Sequence, residues 1–139
     1  MAKLNVESQK IRFVLVGGAN TTIDFGLLFI LTAFGLPTLF ANIVSTTVAF
    51  CFSFIANKKF TFQSSGKNIR RELLLFVIVT LFGLWGIQSA IIAGIKPPLQ
   101  GIIPDPHMAL LAAKLIATVA SLIWNYVLYS RVVFVNKEN

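Results

Sequence analysis

The chain has 139 residues, 56% of them hydrophobic and 12% charged, with a formal net charge of +7 and a mean hydropathy of +0.80. Soluble domains carry roughly 45–50% apolar and about 25% charged residues, so this composition excludes a domain dissolved mainly in water. Four long apolar runs occupy most of the length and leave no room for a separate soluble catalytic unit.

Those runs are 13–36, 38–56, 73–95 and 108–129. Each is near the roughly 20 residues that a helix rising about 1.5 Å per residue needs to cross about 30 Å of hydrocarbon. The expectation is an all-α integral membrane protein with a single membrane domain of four transmembrane helices. The first run exceeds the apolar core of a signal peptide, and no A-x-A-like cleavage site follows it, so it is expected to be retained.

Lysine and arginine set the orientation. Lys3, Lys10 and Arg12 precede the first run, Lys58, Lys59, Lys67, Arg70 and Arg71 separate the second from the third, and Arg131 and Lys137 follow the fourth. The other side has the uncharged turn Gly35-Leu36-Pro37 and the connection "KPPLQGIIPDPHM", whose charge-bearing residues are Lys96, Asp105 and His107. Ten basic residues against one is a positive-inside bias that places both termini in the cytoplasm. The net charge is therefore mainly a topology signal, and nucleic acid is not an expected partner, because the cations flank spans and line no groove.

Inside the first run lies "GGANTTIDFGLLF", which carries Asp24 near its middle. An ionisable group inside a membrane costs about 2.5–3.5 kcal/mol on insertion scales, so it faces a partner or a wet cavity. Cys51 is the sole cysteine and His107 the sole histidine. With three scattered glutamates, they supply neither a metal cluster nor a nucleophile with its base, so no enzyme activity and no cofactor are expected.

A shift of 72 residues lays "ANIVSTTVAFCFSFIANKKFTF" (41–62) over "AKLIATVASLIWNYVLYSRVVF" (113–134), matching Ala41 to Ala113, Thr46 to Thr118, Lys59 to Arg131 and Phe62 to Phe134. "FVLV" at 13–16 likewise resembles "FVIV" at 76–79. The pattern reads as an internal repeat, 13–62 and 76–134, of two hairpins with the same orientation. In parallel-repeat transporters the substrate site lies at the repeat interface. The competing explanation is that two apolar helices align by composition alone.

The same alignment pairs Asn42 with Lys114, brings Asp24 within one residue of Gln88, and pairs Ser53 with Asn125. Asp24 and Lys114 are natural partners, although Lys114 sits nearer the outer surface; the other possibility is that Lys114 snorkels outward alone. Gly18, Thr22 and Gly26, and Ala113, Ala117 and Ser121, are four-spaced small-residue stripes of the kind that allow close helix contact in lipid. Trp85, Trp124 and Tyr126 belong either to interfacial belts or to a platform that stacks on a sugar ring.

"IRFVLVGGANTTIDFGLLF", "ANIVSTTVAFCFSFIANKKFTF" and "LLAAKLIATVASLIWNYVLYSRVVF" together resemble the signature segments of the GtrA-like family of small four-span bacterial membrane proteins. The distinctive pieces are the Arg12-Phe13 entry, the N-T-x-x-D from Asn20 to Asp24, the Ala41-Asn42 start with its Asn57-Lys58-x-x-x-Phe62 exit, and the Ala113-Lys114 pair. One departure is "YSRVVF", where Tyr129 and Ser130 stand in place of the asparagine-basic pair that the family often repeats. The resemblance implies flipping of a polyprenyl-phosphate-linked sugar, such as undecaprenyl-phosphate-glucose, from the cytoplasmic to the outer leaflet of the bacterial inner membrane. There a membrane glycosyltransferase would use it for cell-surface polysaccharide.

On that reading Arg12, Lys58, Lys59, Arg131 and Lys114 bind the phosphate of the lipid head, arginine bidentately and lysine as a point charge. Asn20, Asp24, Asn42, Gln88 and Asn125 form the polar groove. Four helices enclose little space for such a head, so a homo-oligomer, a parallel dimer, is expected. Two other readings compete: an anchor that docks a glycosyltransferase, and a small multidrug-type exporter, which the large charge bias opposes.

Overall fold

The computed structural model describes residues 5–135, and among them every regular element is helical. Lys3 and Lys137, two of the cations used to assign topology, lie outside the described residues. Four helical stretches are long and apolar enough to cross a membrane: Val6–Ala33, Thr38–Thr61, Ile69–Ile102 and Pro106–Val133. They form two compact units divided after Ser65, each holding two of the four spans.

In the first unit α1 (Val6–Ala33) begins where the Asn5 side chain accepts a hydrogen bond from the Glu7 amide at 3.3 Å. Glu7 in that first turn adds a favourable charge at the helix N-terminus. The helix ends because Gly35 adopts φ +88°, a backbone region open to glycine at no steric cost. The Leu36 amide then bonds back to the Leu31 carbonyl and the Gly35 amide to the Thr32 carbonyl, each at 3.0 Å, which makes a Schellman stop. Pro37 follows and opens α2 (Thr38–Ala56). A turn this short forces the two helices to lie antiparallel, and α1 packs along α2.

The second unit contains α3 (Ile69–Leu81), α4 (Gln88–Ile102) and α5 (Pro106–Leu128). The Asn68 side chain caps α3 through the Arg71 amide at 3.1 Å. Asp105 caps α5 through the amides of His107 and Met108 at 2.8 and 3.3 Å, with Pro106 in the first turn, where a missing N–H costs nothing.

Three short π-helical segments interrupt or finish these helices: Asn57–Thr61 after α2, Phe82–Ile87 between α3 and α4, and Tyr129–Val133 after α5. The first and last are 72 positions apart, the offset that aligns the sequence with itself. Each is closed by a phenylalanine amide bonding to the segment's first carbonyl at 2.8 Å, Phe62 to Asn57 and Phe134 to Tyr129.

Three features differ from the sequence expectation. The first span starts seven residues earlier than expected and stops at Ala33, because the Asn5 cap and the Gly35 stop fix its ends, not hydropathy. The third span runs from Ile69 to Ile102 and the fourth begins at Pro106, so only 103–105 of the expected Pro-rich connection is not helix. Proline's φ is already close to helical, and Pro97 and Pro98 are exposed, so the carbonyls they leave unbonded are not sealed inside protein. Finally, the Gly18, Thr22, Gly26 stripe is exposed, and a methyl group added at either glycine would meet nothing within 4 Å. The line of α1 directed into the protein is Val16, Asn20 and Asp24 instead. Val16 is buried and the Asn20 side-chain oxygen is enclosed.

Candidate functional site

Counting from Gly35, Asp24 lies eleven residues back along α1 and Ser45 ten residues forward along α2, so an antiparallel hairpin sets them side by side. The Ser45 hydroxyl donates to Asp24 Oδ1 at 2.7 Å, and the Thr46 hydroxyl donates to the same oxygen at 3.3 Å. Ser45 is completely buried and Asp24 half-buried. A carboxylate that accepts hydroxyl hydrogen bonds has exchanged part of its lost hydration for fixed dipoles, the condition under which a charge persists away from water. The Ser45 oxygen also lies 3.2 Å from the Asn42 carbonyl, so its single proton has two acceptors available.

One turn before Asp24 on α1, Asn20 has a side-chain oxygen walled off from solvent and without a hydrogen-bond partner. Asn42 itself is exposed. Lys114, the expected partner of Asp24, belongs to the second unit, where it is exposed. The partners recorded for Asp24 are hydroxyls of its own hairpin.

At the other end of the first unit, Arg12 Nη1 donates to the Phe60 carbonyl at 3.2 Å, and the guanidinium lies 5.2 Å from the centre of the Phe60 ring. A π-helical turn shifts carbonyls out of the α pattern, and here the arginine takes one of them. This orients the guanidinium while leaving most of its five donors unused by that bond. Lys58 is half-buried and Lys59 exposed beside it. Asn57 is buried, its amide nitrogen donating to the Ser53 carbonyl at 2.8 Å and to the Ser53 hydroxyl at 3.2 Å. The Asn57 side-chain oxygen and the Thr61 hydroxyl have no partner.

The second unit has a different interior. Ala109, Ala113, Ala117, Ser121 and Asn125 form a buried four-spaced line on α5. Gly83 packs against it so closely that a methyl group there would come within 2.8 Å of Asn125 Oδ1 and 3.0 Å of the Ser121 hydroxyl. Trp124 is half-buried, tilted against Phe82 with ring centres 5.3 Å apart, and its Nε1 donates to the Val79 carbonyl at 3.3 Å. Tyr126 and Gln88 are half-buried, whereas Trp85 and Arg131 are exposed, Trp85 at 72%. Trp124 is therefore committed to packing, and of the three aromatic candidates Trp85 presents the most open ring. Phe76 stacks on Tyr129 at 4.7 Å, and the Tyr129 hydroxyl is hydrogen-bonded to that of Thr80.

Ser45, Thr46, Asn57, Thr61 and Gly83 were not singled out as site residues from the sequence. Ser45 and Thr46 had a usable signal in their distance from the hairpin turn, and Asn57 stands inside the quoted exit motif. Gly83 and Thr61 had none, because a π-helical turn decides their surroundings.

A family model for the GtrA/DPMS transmembrane domain matches residues 12–134. The chain belongs to that family. Its matched region begins at Arg12, the residue anchored on Phe60, and ends at Phe134, whose amide closes the last π-helical segment. The chain is also similar to YngA of Bacillus subtilis strain 168, an uncharacterized membrane protein, with 31% identity over 116 residues that cover 84% of this chain and 72% of that protein. No solved structure matches. Membership makes this a multi-pass membrane protein linked to the handling of polyprenyl-phosphate-linked sugars.

Proposed function

We propose that this protein flips a polyprenyl-phosphate-linked sugar from the cytoplasmic to the outer leaflet of the bacterial inner membrane, with both termini cytoplasmic. The observation that carries the reading is a carboxylate set among hydroxyls inside an apolar hairpin. Such a group is costly in lipid and is kept where a polar cargo must pass.

Each part of the cargo has a counterpart. Arg12, Lys58, Lys59 and Arg131 meet the phosphate at the cytoplasmic surface, and Lys114 receives it on the far side. Asn20, Asp24, Asn42, Gln88 and Asn125 supply acceptors and donors to the sugar hydroxyls, Trp85 offers a ring to the sugar face, and the isoprenoid tail stays in the acyl chains. The two hairpins act as a parallel duplication and the working form is a dimer. The protein makes and breaks no bond itself, and delivers the lipid to a membrane glycosyltransferase.

Reconstitution of wild type, Asp24→Ala and Lys114→Ala in vesicles with a labelled polyprenyl-phosphate sugar tests this. The expected result is at least a tenfold loss of transfer in each variant. Wild-type rates in both would remove the groove from the account.

A further inference from the structure

Asp24 raises a question of charge balance. The basic residues described in its own unit, Lys10, Arg12, Lys58 and Lys59, stand at the opposite end of the hairpin from the Gly35 turn. Arg12 alone is twelve residues away along α1, about 18 Å at 1.5 Å per residue. Hydroxyl dipoles ease the desolvation of a carboxylate but do not cancel its charge.

Two hydroxyl oxygens lie against the carboxylate. Ser45 Oγ and Thr46 Oγ1 lie at 2.7 and 3.3 Å from Oδ1. Asn20, four residues back and so on the same face of α1, contributes an enclosed side-chain oxygen that has no donor. An acceptor left bare inside a protein is destabilising unless a donor or a positive charge meets it. The two hydroxyls can turn a lone pair toward such an ion, and the Ser45 proton already has a second acceptor in the Asn42 carbonyl at 3.2 Å.

We propose that Asp24, Ser45, Thr46 and Asn20 form a binding site for one alkali cation, with Na⁺ as its natural size class, and that this ion couples to lipid transfer. Carboxylate, hydroxyl and amide oxygens are the ligands that hard cations take. One carboxylate matches one positive charge; a divalent ion would leave the hairpin with a net charge inside the bilayer. Asp24 and Ser45 lie nine residues before the end of α1 and seven after the start of α2, about 10–14 Å from the turn. That depth is within the hydrocarbon layer, where coupling-ion sites of membrane transporters occur. The coupling role rests on the transport reading above, whereas the site itself does not.

The experiment uses the full chain in lipid nanodiscs, with ²²Na⁺ as probe and choline chloride holding ionic strength constant. Saturable Na⁺ binding is expected in wild type. Asp24→Asn should abolish it, and Ser45→Ala and Asn20→Ala should each weaken it about tenfold, the usual scale for losing a supporting ligand contact. Thr47→Ala is the control for folding, since that hydroxyl bonds to its own helix at the Ile43 carbonyl and should leave binding unchanged. Wild-type binding no greater than that of Asp24→Asn, or unchanged binding in both Ser45→Ala and Asn20→Ala, overturns the site.

A second arm imposes a Na⁺ gradient across vesicles carrying labelled lipid. Transfer that follows the gradient in wild type and ignores it in Ser45→Ala supports coupling. Transfer indifferent to Na⁺ despite binding overturns the coupling, and an absence of any transfer with binding intact overturns the transport reading alone.

Discussion

Positions 57 and 129 sit at the same place in the two hairpins, each opening the π-helical segment that ends its helix, and they are filled in opposite ways. Asn57 is a buried amide bonded to Ser53, with its oxygen left without a partner. Tyr129 is a buried ring stacked on Phe76, its hydroxyl taken up by Thr80. The contrast extends along both units, the first enclosing Asn20, Asp24 and Ser45, the second closing with Phe76, Tyr129, Phe134 and a tryptophan wedged on Phe82. The first hairpin thus holds a carboxylate among hydroxyls, whereas the second combines aromatic packing with a buried acceptor that has no partner, Asn125 Oδ1.

The largest test of this difference lies in the second hairpin. Gly83→Val would force a side chain into the Asn125 and Ser121 groups at 2.8–3.0 Å, and overpacking of this kind costs about 1–3 kcal/mol. A lowered thermal midpoint in detergent is expected. Gly86→Ala is a useful contrast, because its nearest neighbours are the Phe82 ring at 3.5 Å, an ordinary contact, and its midpoint should stay close to wild type.

Of comparable size, Ser45→Ala removes the short hydrogen bond to Asp24. Bonds to charged groups contribute about 1.5–3 kcal/mol, so a midpoint drop comparable with that of Gly83→Val would show that the polar hairpin depends on its carboxylate as strongly as the aromatic one does on its close fit. An unchanged midpoint would mean that Asp24 is held for function alone. Arg12→Lys keeps the charge but loses the planar contact with Phe60, which at an exposed site amounts to about 0.5–1 kcal/mol. Trypsin sensitivity between Lys58 and Arg71 should rise as the π-helical exit loosens.

The smallest effect is expected from Tyr129→Phe. It keeps the stack and deletes the bond to Thr80, and side-chain hydrogen bonds between membrane helices average about 0.6 kcal/mol. A much larger loss would place the hydroxyl pair, not the rings, at the centre of the second hairpin.

The four spans and Asp24 were legible in the sequence because hydropathy and a lone acid in an apolar run are local signals. The ends were less so. Asn5 and Gly35 fix α1 through capping, which an apolar count does not register, and the helical course of Pro97 and Pro98 depends on their exposure. The family's N-T-x-x-D pointed to Asn20 and Asp24. The acid's hydroxyl partners within its own hairpin, Ser45 and Thr46, follow from their near-equal distance from the turn. The replacement of an asparagine by Tyr129 was visible as a departure, and its meaning came only with Phe76 and Thr80 beside it.

The buried line on α2 and the π-helical segment after it runs Ala41, Ser45, Ala49, Asn57, Thr61, and that on α5 and its π-helical end runs Ala109, Ala113, Ala117, Ser121, Asn125, Tyr129, Val133, in steps of four or a multiple of it. On an ideal α-helix a residue four positions on has rotated about 40° past its predecessor, so such a line winds slowly around the rod. A π-helical turn, being wider, takes up more residues per revolution and halts that winding where each line reaches its last members. Removing one residue from Asn57–Thr61 would therefore swing Thr61 and Phe62 around the helix axis and cut the inward-facing seam short.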